Sequence, residues 1–200
     1  MQWNELKPDI VIGNLTGAIR RLDCSSAIRV MLNLVRGSRI YILRDCFEIV
    51  TAHVSSDKKE VGGLLLGRVW ENNPADLHLT GPLVLLLEAV PSEVCCNSSV
   101  SLEMGTEIWD RVNERVSEDL IVVGWYHSHP NLGAYFSETD RRTQRAFFNN
   151  AYSVGWVIDP FRNEDKVYIG KDAEEYQPSL LVLNDASLSI ERPSLTDRAK

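Results

Sequence analysis

The 200-residue chain contains no apolar run approaching the roughly 20 residues a membrane-spanning helix needs. Its opening, "MQWNELKPDI", lacks the charged and apolar regions of a signal peptide, so a cytoplasmic protein without a membrane partner is expected. Basic charge is scarce: 21 Lys and Arg against 28 Asp and Glu give a net charge of −7, with none of the excess a nucleic-acid footprint requires. No repeat of fixed period is visible. Cysteines are few. Cys24 and Cys46 stand alone, Cys95 and Cys96 are adjacent, and no C-x-x-C pair offers a zinc or redox motif. Reduced thiols in or near the core are expected.

Several catalytic signatures are also missing. The chain has no H-E-x-x-H, no H-x-E with P-C-x-x-C and no G-x-S-x-G, which removes their zinc-hydrolase, deaminase and nucleophilic-serine schemes. No glycine-rich loop is built to cradle phosphate.

What is present is a normal globular composition, 44% hydrophobic, with strand and helix patterns interleaved. "RIYIL" reads as a strand, followed by a helix over "RDCFEIVTAHVSS" with Asp45 as its cap, Glu48 in the capping-box position and Phe47, Val50 and Val54 on one face. "EVGGLLLGRVW" and "GPLVLLLEAV" read as buried strands, the first with its backbone held close at Gly62 and Gly63. Met104, Ile108, Trp109, Val112 and Val116 form a helical stripe. "LIVVGWYHSHP" reads as a central strand ended by Pro130, followed by a loop over 131–136 and a helix over 138–149. "SVGWVID" and "KVYIG" read as a strand pair around "PFRNED".

These patterns predict one α/β layered domain, a sheet with helices on its faces. Residues 1–36 read as an N-terminal extension with a short docked helix in "SSAIRVMLNLVRG". Residues 37–172 read as the main domain, and 173–200 as a C-terminal tail with room for one edge strand in "SLLVL".

The chemistry concentrates in "HSHPNLGAYFSETD". On a strand His127 and His129 point to one face and Ser128 to the other, at the carboxyl end where open α/β sheets hold ligands. Asp140, in the next helix, is placed to return over the strand end. The same letters also spell helix-start chemistry, with Ser137 as N-cap and Asp140 as a first-turn carboxylate. Glu60 enters an apolar strand, where a carboxylate is costly without a partner or a task.

Glu60, then "HSHP", six residues, then "SETD" resembles the JAMM motif of MPN-domain metalloproteases at every motif position. "VGWYHSHP", "DRRTQ" and "VGWVIDP" are similar to the surrounding segments of that family, and the likeness spans roughly residues 38–170. The resemblance implies an MPN-type, cytidine-deaminase-like α/β fold with a central mixed sheet and flanking helices. It implies one Zn²⁺ bound by His127, His129 and Asp140 with a catalytic water, Glu60 as general base and Ser137 as oxyanion donor.

The implied activity is hydrolysis after the C-terminal glycine of ubiquitin or a ubiquitin-like protein, from a lysine conjugate or a precursor. A ubiquitin-like conjugation system is then the expected partner, and the short chain points to a prokaryotic member. Segment 91–102 lies where family members carry a substrate-gripping insertion. Two alternatives stay open: a peptidase processing the C-terminus of a sulfur-carrier protein, and a non-catalytic MPN scaffold.

Overall fold

A computed structural model of the chain describes residues 13–14, 38–71, 81–93, 106–117, 120–178 and 180–183. The expected helix within residues 1–36, Met104, Cys24, Cys95, Cys96 and most of segment 91–102 lie outside the described residues.

The described elements in chain order are β1 (Gly13–Asn14), β2 (Ile40–Leu43), α1 (Arg44–Ser55), β3 (Gly62–Glu71), β4 (Leu83–Pro91) and α2 (Thr106–Asn113). β5 (Ile121–Ser128), α3 (Glu138–Phe147), β6 (Val154–Asp159), β7 (Glu164–Ile169), β8 (Glu174–Glu175) and β9 (Leu181–Leu183) follow. They build one mixed sheet in the order β8-β7-β6-β5-β3-β4-β2-β9, with β1 pairing parallel to β3 off this path. The fold is an α/β single domain with a mixed sheet and flanking helices.

Strand alternation sorts the apolar residues to the two faces. On one face Cys46, Val50 and Val54 of α1 join a cluster with Ile40, Leu65, Val123 and Tyr126. On the other, Ile108 and Val112 of α2 pack with Leu64, Leu66, Trp125 and Phe136. The near-continuous apolar runs of β3 and β5 thus reflect burial on both faces. Gly63 lets β3 lie close to its neighbours, because a Cβ there would stand 2.4 Å from the Val90 carbonyl oxygen. Burial pushes the Cys46 thiol up to about 12, with Glu88 adding to the effect, so it packs as a neutral apolar group.

Three expected helix ends differ. α1 begins at Arg44 directly after β2, with Leu43 as N-cap and no side-chain cap bond. Asp45 therefore sits in the first turn, where the helix dipole favours a carboxylate, and Glu48 pairs with Arg44 at 3.7 Å instead of capping. Val116 lies beyond the end of α2 and is exposed, while Ile108 and Val112 carry the burial. α3 ends at Phe147, two residues short of the expected 149, because the buried Phe148 leaves helical backbone, at φ −124° and ψ 56°, as the C-cap.

Beyond residue 172, Tyr176 is buried and its hydroxyl accepts the backbone N–H groups of Arg39 and Ile40. β9 then pairs parallel with β2.

Candidate functional site

β5 lies near the middle of the sheet, between antiparallel β3 and parallel β6. Its register sets Gly62 opposite His127. At its carboxyl end Ser128 ties the incoming strand: its backbone N–H donates to the Val61 carbonyl at 2.8 Å, and its hydroxyl accepts the Val61 N–H at 3.0 Å. Glu60, the residue before, is thereby held beside His129. A separation of 69 positions in the sequence becomes 3.4 Å between Glu60 Oε1 and His129 Nε2.

Pairing with β5 gives way to a turn after Ser128. His129 still donates its backbone N–H to Ile158, and the chain then turns through Asn131 at φ 63° and Gly133 at φ 88°. Both residues suit the left-handed region. Asp159, at the end of β6, organises this turn. Its carboxylate accepts backbone N–H groups from Asn131 at 3.1 Å and Gly133 at 2.8 Å, and from Phe161 at 3.0 Å and Arg162 at 3.2 Å. Burial disfavours its charge, yet these four bonds hold its carboxyl below the usual carboxylate range.

The turn delivers the chain to α3. Ser137 is its N-cap: the Ser137 hydroxyl oxygen accepts the Asp140 N–H at 3.2 Å, and Asp140 Oδ2 accepts the Ser137 N–H at 2.6 Å. This reciprocal box fixes the Asp140 carboxylate over the strand end. The helix-start reading and the site reading are therefore compatible, since one oxygen caps while the carboxylate still faces the imidazoles.

Four side chains converge. His127 Nε2 lies 3.2 Å from His129 Nε2 and 3.3 Å from Asp140 Oδ1, and His129 Nε2 lies 3.7 Å from Asp140 Oδ2. Glu60, His127 and His129 bring one ligand atom each within 4.8 Å of one another, close enough to hold a metal ion. Asp140 touches both imidazoles.

The donor set fits a small divalent cation. A tetrahedral zinc site with bonds of 2.0–2.1 Å separates its ligand atoms by about 3.3 Å. Both Nε2 atoms point inward, and among the described residues neither buried Nδ1 atom has a hydrogen-bond partner. Burial alone would raise the Asp140 pKa, but His127 and the Ser137 N–H bring it down to about 2. Burial likewise opposes an imidazolium at His129, where Glu60 and Asp140 outweigh it and raise its pKa.

Apolar rings wall the site. Trp125 stacks on His127 with centroids 4.6 Å apart and planes 9° from parallel. Phe136 tilts against His127 at 5.6 Å, and the half-exposed Tyr135 meets the edge of His129 at 5.1 Å.

All five residues singled out in the sequence lie at this strand end. Sequence reasoning passed over Asp159, Trp125 and Gln144. Trp125 carried a signal, since period-two alternation puts residues 125, 127 and 129 on one face. Gln144 is fully buried in an otherwise polar helix and accepts the Trp125 indole N–H at 2.7 Å. Asp159 offered only its place at a strand end before Pro160.

Known proteins resemble the chain in a consistent way. It is 30% identical over 119 residues to the Lys-63-specific deubiquitinase BRCC36 of Xenopus tropicalis, covering 59% of this chain and 44% of that protein. It is also 30% identical over 109 residues to the ubiquitin carboxyl-terminal hydrolase RPN11 of Saccharomyces cerevisiae, covering 52% of this chain and 32% of that protein. The matched region thus spans less than half the length of either relative. A Desulfitobacterium hafniense protein of known solution structure shares the fold, with a TM-score of 0.50 at 19% identity over 73% of this chain and 94% of that one. The family profile described as prokaryotic homologs of the JAB domain matches residues 45–167, and the chain belongs to that family.

Proposed function

We propose that the protein is a zinc-dependent isopeptidase that cleaves after the C-terminal glycine of a ubiquitin-like protein. One observation carries the reading: two imidazoles and two carboxylates from four separate points of the sequence meet at the carboxyl end of β5, at ligand-to-ligand distances. The deubiquitinase names of BRCC36 and RPN11 support the substrate class.

In this reading His127, His129 and Asp140 hold Zn²⁺, which when bound polarises a carbonyl and lowers the pKa of water to about 7. Glu60, 3.4 Å from the His129 imidazole and itself largely buried, accepts a proton from the attacking water and returns it to the departing lysine amine. Ser137 uses an oxygen lone pair to cap α3, which leaves its O–H proton to stabilise the oxyanion. Trp125 and Phe136 exclude water behind His127, and a lower local dielectric strengthens each of these interactions.

Residues 37–172 are proposed as the catalytic unit, working in the cytoplasm beside a ubiquitin-like conjugation system. The test uses purified protein expressed with adequate zinc. One equivalent of bound zinc is expected, together with cleavage of a lysine-linked ubiquitin-like conjugate in preference to a linear carrier-protein extension. Glu60→Gln should keep the zinc and lose turnover by at least about 10²-fold. Zinc-free protein, or a fully active Glu60→Gln variant, would overturn the assignment.

A further inference from the structure

Metal-binding histidines are generally oriented by a hydrogen bond from the ring nitrogen that does not touch the metal. Among the described residues His127 has none: it is fully buried and its Nδ1 meets no hydrogen-bond partner there. Something else must stop this imidazole from rotating about its side-chain bonds.

We propose that Trp125 and Gln144 are positioning residues that orient His127 through ring stacking in place of that hydrogen bond; the inference rests on the metal-site reading above. Trp125 is stacked on two rings and tilted against a third, Phe136 at 5.5 Å. His127 stacks at 4.6 Å and 9°, and Phe148 at 5.8 Å and 13°. The indole is locked in turn, because its N–H donates to Gln144 Oε1 at 2.7 Å.

Gln144 is held as firmly. It is fully buried, and its amide nitrogen faces the carbonyl oxygens of Phe148 and Ser153 at 3.3 Å each and of Gly170 at 3.1 Å. This position needs an acceptor toward the indole and donors toward the carbonyls at once. A neutral amide supplies both, whereas a glutamate could not donate and an aliphatic side chain could do neither. Room for it comes from Gly155, where a Cβ would stand 2.9 Å from Gln144 Oε1.

The placement couples the lock to the site. Asp140 and Gln144 are four residues apart on α3, so they share one face of the helix. Asp140 meets His127 at the Nε2 edge while Gln144 sets the ring that covers its face. A single helix thus fixes both the distance and the tilt of one imidazole. An indole face is also a favourable neighbour for an imidazole that becomes electron-poor on binding a cation.

The test compares two substitutions that both orphan Gln144 Oε1 and differ in the ring they leave. Trp125→Phe keeps an aromatic face against His127, and Trp125→Leu removes it. Zinc affinity, read in the full chain by competition with a chromophoric chelator, should be 10–100-fold weaker for the leucine variant than for the phenylalanine variant. Affinities within threefold of each other, in variants that both melt cooperatively, would overturn the proposal.

Should Trp125→Leu fail to fold, NMR on the unchanged metal-free protein decides. Cross-relaxation between Trp125 and His127 ring protons, with one rotamer of His127, supports the lock. Absent contacts or several rotamers refute it. An unchanged protein that takes up no zinc sinks the metal reading separately, and the NMR measurement still judges the stack.

Discussion

Two buried aspartates lie on either side of the same turn and do opposite things. Asp140 and Asp159 are 7% and 0% exposed, and both have carboxyl pKa values below the ordinary range. Asp159 spends its acceptors on four backbone N–H groups, which come from residues 131, 133, 161 and 162. Asp140 accepts the Ser137 N–H at Oδ2, which also faces His129, and turns Oδ1 toward His127. A depressed carboxyl pKa therefore does not mark a functional group by itself. The partner does: backbone amides belong to the fold, while imidazole nitrogens can exchange one another for a cation.

The same isosteric change at both positions should separate these roles. Asp140→Asn is expected to weaken zinc binding by more than about a hundredfold, beyond the loss typical of residues that merely orient a ligand. The metal-free variant should still fold but melt lower than the unchanged protein, since an asparagine oxygen can accept the Ser137 N–H while the charge that faces the two imidazoles is lost. Parallel zinc titration and melting in chelator check both halves. If stability collapsed while zinc binding held, the contrast between the aspartates would be wrong.

Asp159→Asn should behave in the reverse manner. An amide NH₂ would face a backbone N–H in place of an acceptor, leaving a buried donor unsatisfied at a cost of about 1–3 kcal/mol. Chemical unfolding of the metal-free protein measures this directly. Zinc affinity should fall by less than tenfold, because the turn moves and the ligands remain.

Acid should narrow the gap between Asp159→Asn and the unchanged protein. The Asp159 pKa is lower in the folded state than the unfolded value of about 3.9. Its stabilisation is therefore complete above that unfolded value and is lost as pH falls through the folded one. The difference in unfolding free energy between the two proteins should be constant from pH 7 to 5 and shrink below about pH 4. A difference independent of pH would mean the carboxylate charge contributes nothing.

How much of this was legible in the sequence follows from how local each signal is. His127, Ser128 and His129 declare their faces through strand alternation, and Ser137 with Asp140 spells a helix start within four residues. Those relations need no tertiary information. Glu60 was legible as a carboxylate entering an apolar strand and as a motif member, but its closeness to His129 was not, since that depends on the register of β3 with β5 and on the Ser128 clamp at Val61. Asp159 was illegible because all four partners are main-chain N–H groups, two of them in a turn 26–28 residues upstream, and every residue type but proline carries one. Trp125 and Gln144 read as ordinary core and ordinary helix. Asp45 misled for a local reason: the strand ran straight into the helix, and Leu43 took the capping place.

Ser137 carries the contrast within one side chain, because it caps α3 and faces the site. Removing its oxygen in Ser137→Ala leaves the Asp140 N–H without its acceptor and should cost about 1 kcal/mol of stability. Ser137→Asn offers another good N-cap acceptor and should restore stability to within a few tenths of a kcal/mol. Melting of the metal-free proteins compares the pair. If the asparagine variant were as unstable as the alanine one, the hydroxyl would be holding more than the helix end, and the capping box would not explain how Asp140 reaches His127. If the asparagine variant is stable, the two oxygens of the box can be changed one at a time, and any remaining loss of turnover belongs to the hydroxyl's proton alone.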